Sequence, residues 1–281
     1  MMPRPCSRRR GAPAPRPTVR VSEHPRAYDA LVAIGASSRW ARWVGITGRR
    51  AGRGPAGAAR TDLEGRPGVG PFVDPGFDLS APLFDVSFAV LDVETTGGSP
   101  TTSALTEIAA AKYQGGECVG EFQSLVDPGC SVPPLISLLT GITDDMVLGA
   151  PAVSSVLPPL LEFVRGSVIV GHNVGFDLSF LDAALIVNGY EPLGNTTVDT
   201  LALARRLVRP DVPNCKLRTL AAALRLEHLP SHRALDDVRA TADLLHRLIE
   251  HASGYDVFVL GDLVDLIAKP CLRADPVSEV G

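Results

Sequence analysis

Four carboxylates stand where side chains are expected to be covered, an expensive place for charge, and one histidine stands where it could reach them. In the strand-like run "FAVLDVET" (88–95), Asp92 and Glu94 lie two residues apart. Both therefore project from the face that also carries Phe88 and Val90. "HNVGFDLSFLDAAL" (172–185) has the length and apolar content of a helix. On its wheel Asp177 falls among Phe180, Leu181 and Ala184, while Asp182 falls off that stripe. In "SHRALDDVRATADLLHRLIEHASG" (231–254) the main apolar stripe runs through Leu235, Val238, Ala242, Leu245 and Ile249. Asp237 sits on its flank with Thr241, Leu244 and Leu248, whereas Asp236 joins Arg239, Ala240, Asp243 and Arg247 on a solvated face. Ser231 is the expected N-cap, which sets His232 at the mouth of the helix.

An ionised carboxylate is costly to bury alone. Four together repel until they are protonated, driven apart or neutralised by cations. Donors that are all oxygen suit hard ions such as Mg²⁺ or Mn²⁺ over zinc. Two such ions about 3.5–4 Å apart clamp an in-line attack at phosphorus. A histidine, with an unperturbed pKa near 6.5, is then suited to take a proton from the attacking water. Taken singly, each residue has a plainer reading. A D-x-E triplet can end in a solvated turn, and a histidine at a helix start is commonly a surface or capping group. Their coincidence carries the weight.

Three motifs, in this order, resemble the DEDDh family of 3′→5′ exonucleases, and within it the proofreading epsilon subunits of bacterial DNA polymerase III. "LDVETTG" is similar to the first and supplies Asp92 and Glu94. "GHNVGFDLSFL" is similar to the second and supplies Asp177. "HRALDDVRAT" is similar to the third, with His232 five residues before Asp237. That histidine separates the family from relatives with Tyr in its place. The resemblance runs from about Phe88 to Ile249 and includes "LTGITDDMV" (139–147), similar to a loop between the first two motifs.

The resemblance implies an α/β, ribonuclease H-like fold with a mixed five-stranded sheet flanked by helices. It implies release of nucleoside 5′-monophosphates from a DNA 3′ end. Asp92, Glu94, Asp177 and Asp237 would hold two Mg²⁺ or Mn²⁺ ions, with His232 as the base. Thr95 resembles the family threonine that contacts the terminal nucleotide, and Asn173 and Phe176 resemble residues that shape its pocket. Phe176 could equally be core, and Asn173 a helix cap. The implied partners are a single-stranded or frayed DNA 3′ end and the DNA polymerase III catalytic subunit.

The elements that must position these groups are legible in outline. "ALTEIAAAKYQGGECVGEFQSLVDP" reads as a strand, a Gly-Gly turn and a second strand. "APAVSSVLPPLLEFVRG" reads as a helix with Pro151 near its first turn, and "SVIVGHN" as a buried strand ending at Gly171. Helices are expected at 176–188, 198–208, 216–224 and 233–251. Strands first, then strand and helices in alternation, suggest a mixed sheet flanked by helices.

Charge marks the boundaries. Residues 1–80 hold 14 Arg and 6 acids, a net +8; residues 81–281 hold 13 Lys and Arg against 25 acids, a net −12. The head is rich in Pro and Gly and is expected to be mostly disordered over 1–82, with a short helix near "AYDALVAIGASSRWARW". It is either a plain extension, even one created by a misassigned start codon, or a basic arm that holds nucleic acid by counterion release. The exonuclease-like domain is expected over 83–251 and a tail over 252–281. The tail has no recognisable clamp-binding or polymerase-binding segment. No run reaches the roughly 18 apolar residues of a membrane span, and five scattered cysteines without a CxxC pair read as reduced thiols in the cytoplasm. Two other readings stay open: a ribonuclease of the same fold trimming RNA 3′ ends, and a catalytically silent nucleic-acid-binding module. The second would be marked by loss of one of the acids or of the histidine, and all five are present.

Overall fold

The strand bearing Asp92 and Glu94 turns alternate side chains toward two apolar layers, and covering both layers organises the chain. The computed structural model describes residues 17–21 and 77–268. Its strands are β1 (Thr18–Val21), β2 (Phe88–Thr95), β3 (Leu105–Gln114), β4 (Glu117–Leu125), β5 (Val168–Gly171) and β6 (Thr197–Asp199). Its helices are α1 (Pro134–Thr140), α2 (Asp144–Val147), α3 (Val153–Val164), α4 (Val174–Val187), α5 (Thr200–Leu207), α6 (Leu217–Leu224), α7 (Ala234–Ala252) and α8 (Leu260–Ala268). The strands form one mixed sheet in the order β1-β4-β3-β2-β5-β6. β1, β4, β3 and β2 pair antiparallel, and β2, β5 and β6 pair parallel.

Phe88 and Val90 lie with Val168 and Val170 in one layer, covered by α5–α8 through Leu203, Leu220, Val238, Leu245 and Leu260. Ala89, Leu91 and Val93 lie in the opposite layer, covered by α3 and α4 through Val156, Leu160, Phe180 and Leu181. Asp92 and Glu94 therefore continue the face covered by α7, as the alternation requires. The β3–β4 hairpin closes on Gly115 and Gly116, whose φ values of 60° and 85° suit a two-residue turn that only glycine adopts without strain.

The sequence expectations hold in the centre and shift at the margins. The four strands placed from the sequence are present, and β6 and β1 bring the sheet to six where five were expected, β1 coming from within the extension expected to be disordered. Three of the four residues of "TVRV" are β-branched, and Gly120 lets the strand approach, since a Cβ there would lie 3.2 Å from the Arg20 carbonyl oxygen. Residues 77–82 are also ordered against the domain: Leu83 N–H donates to Phe258 C=O, and Leu260 N–H to Ala81 C=O. In the stretch read as a tail, α8 buries Leu260 and Leu263. The helix expected at 198–208 starts at Thr200, because Thr197–Asp199 pair with β5 and the Asp199 carboxylate caps the Leu201 N–H at 2.9 Å. "LTGITDDMV" holds the one-turn helix α2, whose Asp144 accepts from Val132 N–H at 2.6 Å. The helix expected near residues 27–43 lies outside the described residues, as do 22–76 and 269–281. Among the described residues no helix is long and apolar enough to cross a membrane.

Candidate active site

Helix α7, which carries Asp237, is tethered to the sheet at its first turn. It has no side-chain cap of its own, and Arg233 rather than Ser231 occupies the N-cap position. The Ala234 N–H is taken instead by Glu107 Oε2 of β3, at 3.1 Å. The same fully buried carboxylate accepts from Arg233 Nε at 3.1 Å, Arg233 Nη2 at 2.9 Å and Gln123 Nε2 at 2.9 Å. Four donors and the positive end of a helix surround one buried charge, which is the condition for keeping it there.

Freed from capping, Ser231 takes another role. Its N–H and that of His232 both donate to Asp237 Oδ1, at 2.8 and 3.1 Å, while its hydroxyl donates to Asp236 Oδ2 at 2.7 Å. His232 adopts a left-handed backbone, φ 62°, to complete this tight loop. Asp237 is buried and Asp236 half-buried, as the helical phase requires. On Asp236's face, however, Ala240 is buried and Arg239 grips Glu121 of β4 at 2.9 and 3.0 Å, so that face is less solvated than expected.

Asp177 enters from the other side of the strand. β5 pairs with β2 only as far as Val90, and beyond it the Val93 N–H donates to Asp177 Oδ1 at 3.1 Å. Asp92, Glu94 and Asp237 each place a carboxylate oxygen within 4.8 Å of the other two; Asp177, 3 % exposed, stands just outside that trio. Burial leads at all four, and the neighbouring site acids add to it at Asp92 and Glu94. Burial, then Asp177, Asp237, Glu94 and Glu107, pushes Asp92 well above the carboxylate range. Burial and the neighbouring acids, against the pull of Arg233, raise Glu94 to about 8. Burial raises Asp177 to about 7 despite the Val93 N–H. Burial raises Asp237 too, opposed by the Ser231 and His232 amides. Crowded oxygen donors that resist ionisation in the bare protein are matched to a hard cation, whose attraction would outweigh the burial and repulsion that oppose ionisation.

A cleft of about 1150 Å³ opens beside the acids, lined by His232 and Asp237 and by Asn173 at the N-cap of α4. Thr95 and Phe176 do not line it. Thr95, just past a register shift in β2, is buried and donates its hydroxyl to Gly97 C=O at 2.6 Å. Phe176 is 36 % exposed and packs against Phe180, ring centres 5.1 Å apart. Asn173 has a left-handed φ of 72° and makes no side-chain cap bond, so its amide is free of the capping role. The sequence reading missed Glu107, although an acid inside the apolar run "LTEIAAA" carries the same signal that singled out Asp177. It also missed His172, a half-buried strut. Its Nε2–H donates to Cys215 C=O at 2.9 Å, and Nδ1 pairs with the Thr200 hydroxyl at 2.9 Å. Burial holds this ring below its ordinary pKa and so in the neutral form.

Comparison with known proteins places this geometry. The family model described as "Exonuclease" matches residues 89–245, more than half of the chain. A putative bifunctional exonuclease/endonuclease protein of Mycobacterium tuberculosis is 44% identical over 188 residues, 64% of this chain and 29% of that protein. A PolC-type DNA polymerase III of Clostridium perfringens is 43% identical over 162 residues, 58% of this chain and 11% of that protein. This chain thus spans under a third of the curated relatives it matches. Among solved structures, exonuclease X in complex with 5′ overhanging duplex DNA superposes with a TM-score of 0.51 at 24% identity, covering 64% of this chain and 99% of that one. A likeness at that identity speaks for the fold, which is the ribonuclease H-like exonuclease fold expected above.

Proposed function

The chain belongs to the exonuclease family, and on that premise we propose that it hydrolyses DNA from the 3′ end, releasing nucleoside 5′-monophosphates. The observation that carries this reading is the meeting of Asp92, Glu94 and Asp237 within 4.8 Å, with buried Asp177 alongside. These four would hold two divalent ions, Mg²⁺ or Mn²⁺. Such ions supply Lewis acidity toward the charge that grows on the phosphate oxygens.

The chain's own groups do the rest. The Ser231 and His232 amides fix Asp237 Oδ1, so the loop that presents the imidazole and the acid that faces the ions move as one unit. His232, exposed on the cleft, takes the proton of the attacking water as its oxygen bonds to phosphorus and the bond to the 3′-oxygen breaks. Asn173, Thr95 and Phe176 shape the seat of the terminal nucleotide; Thr95 acts through the turn that its hydroxyl braces. Similarity to a DNA polymerase III chain favours a cytoplasmic role in replication proofreading or repair, with the polymerase catalytic subunit as partner.

The test is direct. Labelled single-stranded DNA and RNA of equal length are digested side by side with Mn²⁺ and Mg²⁺. Stepwise shortening of DNA from its 3′ end with release of 5′-monophosphates is the expected result. Faster shortening of RNA would move the assignment to a ribonuclease, and no product from either would overturn it.

A further inference from the structure

One wall of the cleft is basic, and the hydrolysis just described makes no use of it. Arg205 on α5, Arg209 beyond its end, and Lys216 and Arg218 at the start of α6 line the same cleft as His232 and Asp237. All four are exposed, and among the described residues none is in an ion pair. Arg165, Arg233, Arg239 and Arg247, by contrast, each face a carboxylate. Residues 81–281 carry 13 Lys and Arg against 25 acids, so four cations on one wall are a local excess in an acidic region, and among the described residues lining the cleft the one acid is Asp237.

The wall is also held in place. His172 ties Cys215, the residue before Lys216, to the start of the second motif. Arg218 Nη2 donates to Pro230 C=O at 3.3 Å and so braces the loop that leads to His232. A volume of about 1150 Å³ exceeds the roughly 300–1,000 Å³ of small-ligand pockets. Open, basic and braced, the cleft suits a polyanion that continues past the acids.

We propose that Arg205, Arg209 and Lys216 form a phosphate track for the single-stranded DNA lying 5′ of the nucleotide being removed, with Arg218 positioning the adjoining loop. The direction of the strand rests on the exonuclease reading: with the 3′ end at the acids, the cleft receives the preceding nucleotides.

The experiment compares wild type with the triple variant Arg205→Ala/Arg209→Ala/Lys216→Ala, which leaves Arg218 and its loop contact intact. Equilibrium binding of 5′-fluorescein-labelled dT20 is followed by polarisation in Ca²⁺ across a salt series, and hydrolysis is followed on dT20 and on thymidine 5′-monophosphate p-nitrophenyl ester, which is too short to reach the track. Losing three contacts is expected to lower the slope of log affinity against log salt by about 2, since each single-strand phosphate contributes about 0.7. KM for dT20 is expected to rise about tenfold or more with kcat unchanged, and the ester is expected to be cleaved as by wild type. An unchanged salt slope and KM would overturn the track. So would a parallel fall on the ester and on dT20, which would mark the cations as structural. Wild type that binds dT20 with the steep slope but hydrolyses neither substrate would sink the exonuclease reading and leave the track standing as a binding site.

Discussion

Asp177 Oδ1 accepts a hydrogen bond from the Val93 N–H, the amide lying between the two acids of β2. One carboxylate thus does two jobs: it completes a strand that β5 leaves unpaired beyond Val90, and it brings negative charge against Asp92. The two jobs separate by substitution.

Asp177→Asn keeps an oxygen for Val93 and removes the charge. The variant is expected to fold with a metal-free Tm at or above wild type and to lose at least about 10²-fold in hydrolysis, as befits a lost ion-holding group. Asp177→Ala also strands a buried N–H, which costs about 1–3 kcal/mol, so its Tm should fall below that of Asp177→Asn. Thermal melts and single-turnover rates on the two proteins check both halves; wild-type rates in a folded Asp177→Asn protein would remove this residue from the site.

Adjacent aspartates should behave as unlike residues. Asp237→Asn retains an acceptor for the Ser231 and His232 amides but is expected to lose most activity. Asp236, which meets the Ser231 hydroxyl and lies 4.0 Å from Arg239, is expected to tolerate Asn within about twofold, as surface changes usually do. Equal losses in kcat would show that the trio is not the working centre.

His232→Ala is expected to be slower by about 10²–10⁴-fold, the usual contribution of a general base, while still binding a 3′ end. Single-turnover rates from about pH 5.5 to 9 at saturating Mg²⁺ decide it. A variant that follows wild type across this range would exclude the histidine as base.

The acids also predict how stability responds to pH without metal. Glu94 rises from 4.5 to about 8 and Asp177 from 3.8 to about 7. Between those limits the folded protein keeps protons that the unfolded chain has released, so these groups make stability fall as pH rises. The half-buried rings of His172 and His246, held low by desolvation, act with the opposite sign near neutrality. The difference between Glu94→Gln and wild type isolates the carboxylate. In EDTA, the Tm advantage of the variant should grow from pH 5 to pH 8, and saturating Mn²⁺ should abolish it. An advantage that shrinks with pH would contradict the crowding described here.

Arg233→Met tests the tether of α7. It leaves Glu107 buried with only the Ala234 and Gln123 donors, and removing one partner of a buried pair costs about 3–5 kcal/mol. With the Arg233 side chain 35 % exposed, the lower end, about 3 kcal/mol, is expected in urea unfolding. A loss below about 0.5 kcal/mol, the surface-substitution range, would show that the pair is not holding the helix.

The acids were legible because each violated a local pattern: a charge on an apolar stripe or on a covered strand face announces itself in one dimension. Glu107 announced itself in the same way and was overlooked because it lacked a neighbour in any motif. Its partner Arg233 lies 126 residues away, and nothing local in "SHRALDD" specifies a cap supplied by another strand. The Ser231 reading failed for that reason, since a side-chain cap is assigned from neighbours in sequence while this one arrives from β3. The basic wall was hidden differently. Residues 200–225 hold six Lys and Arg against one acid, so the window is basic in sequence, but only folding shows that four of these cations line one cleft.

β1 bears on more than strand count. A terminal strand of a sheet leaves a row of amides and carbonyls open to any extended chain, and here Thr18–Val21 occupies that row along Gly120–Gln123. A polypeptide trimmed to the residues that match the family would bare that row on β4. Such a fragment is expected to self-associate edge to edge as its concentration rises, because the four-residue, arginine-bearing β1 presents a shorter and more charged edge than the nine-residue β4 that it covers.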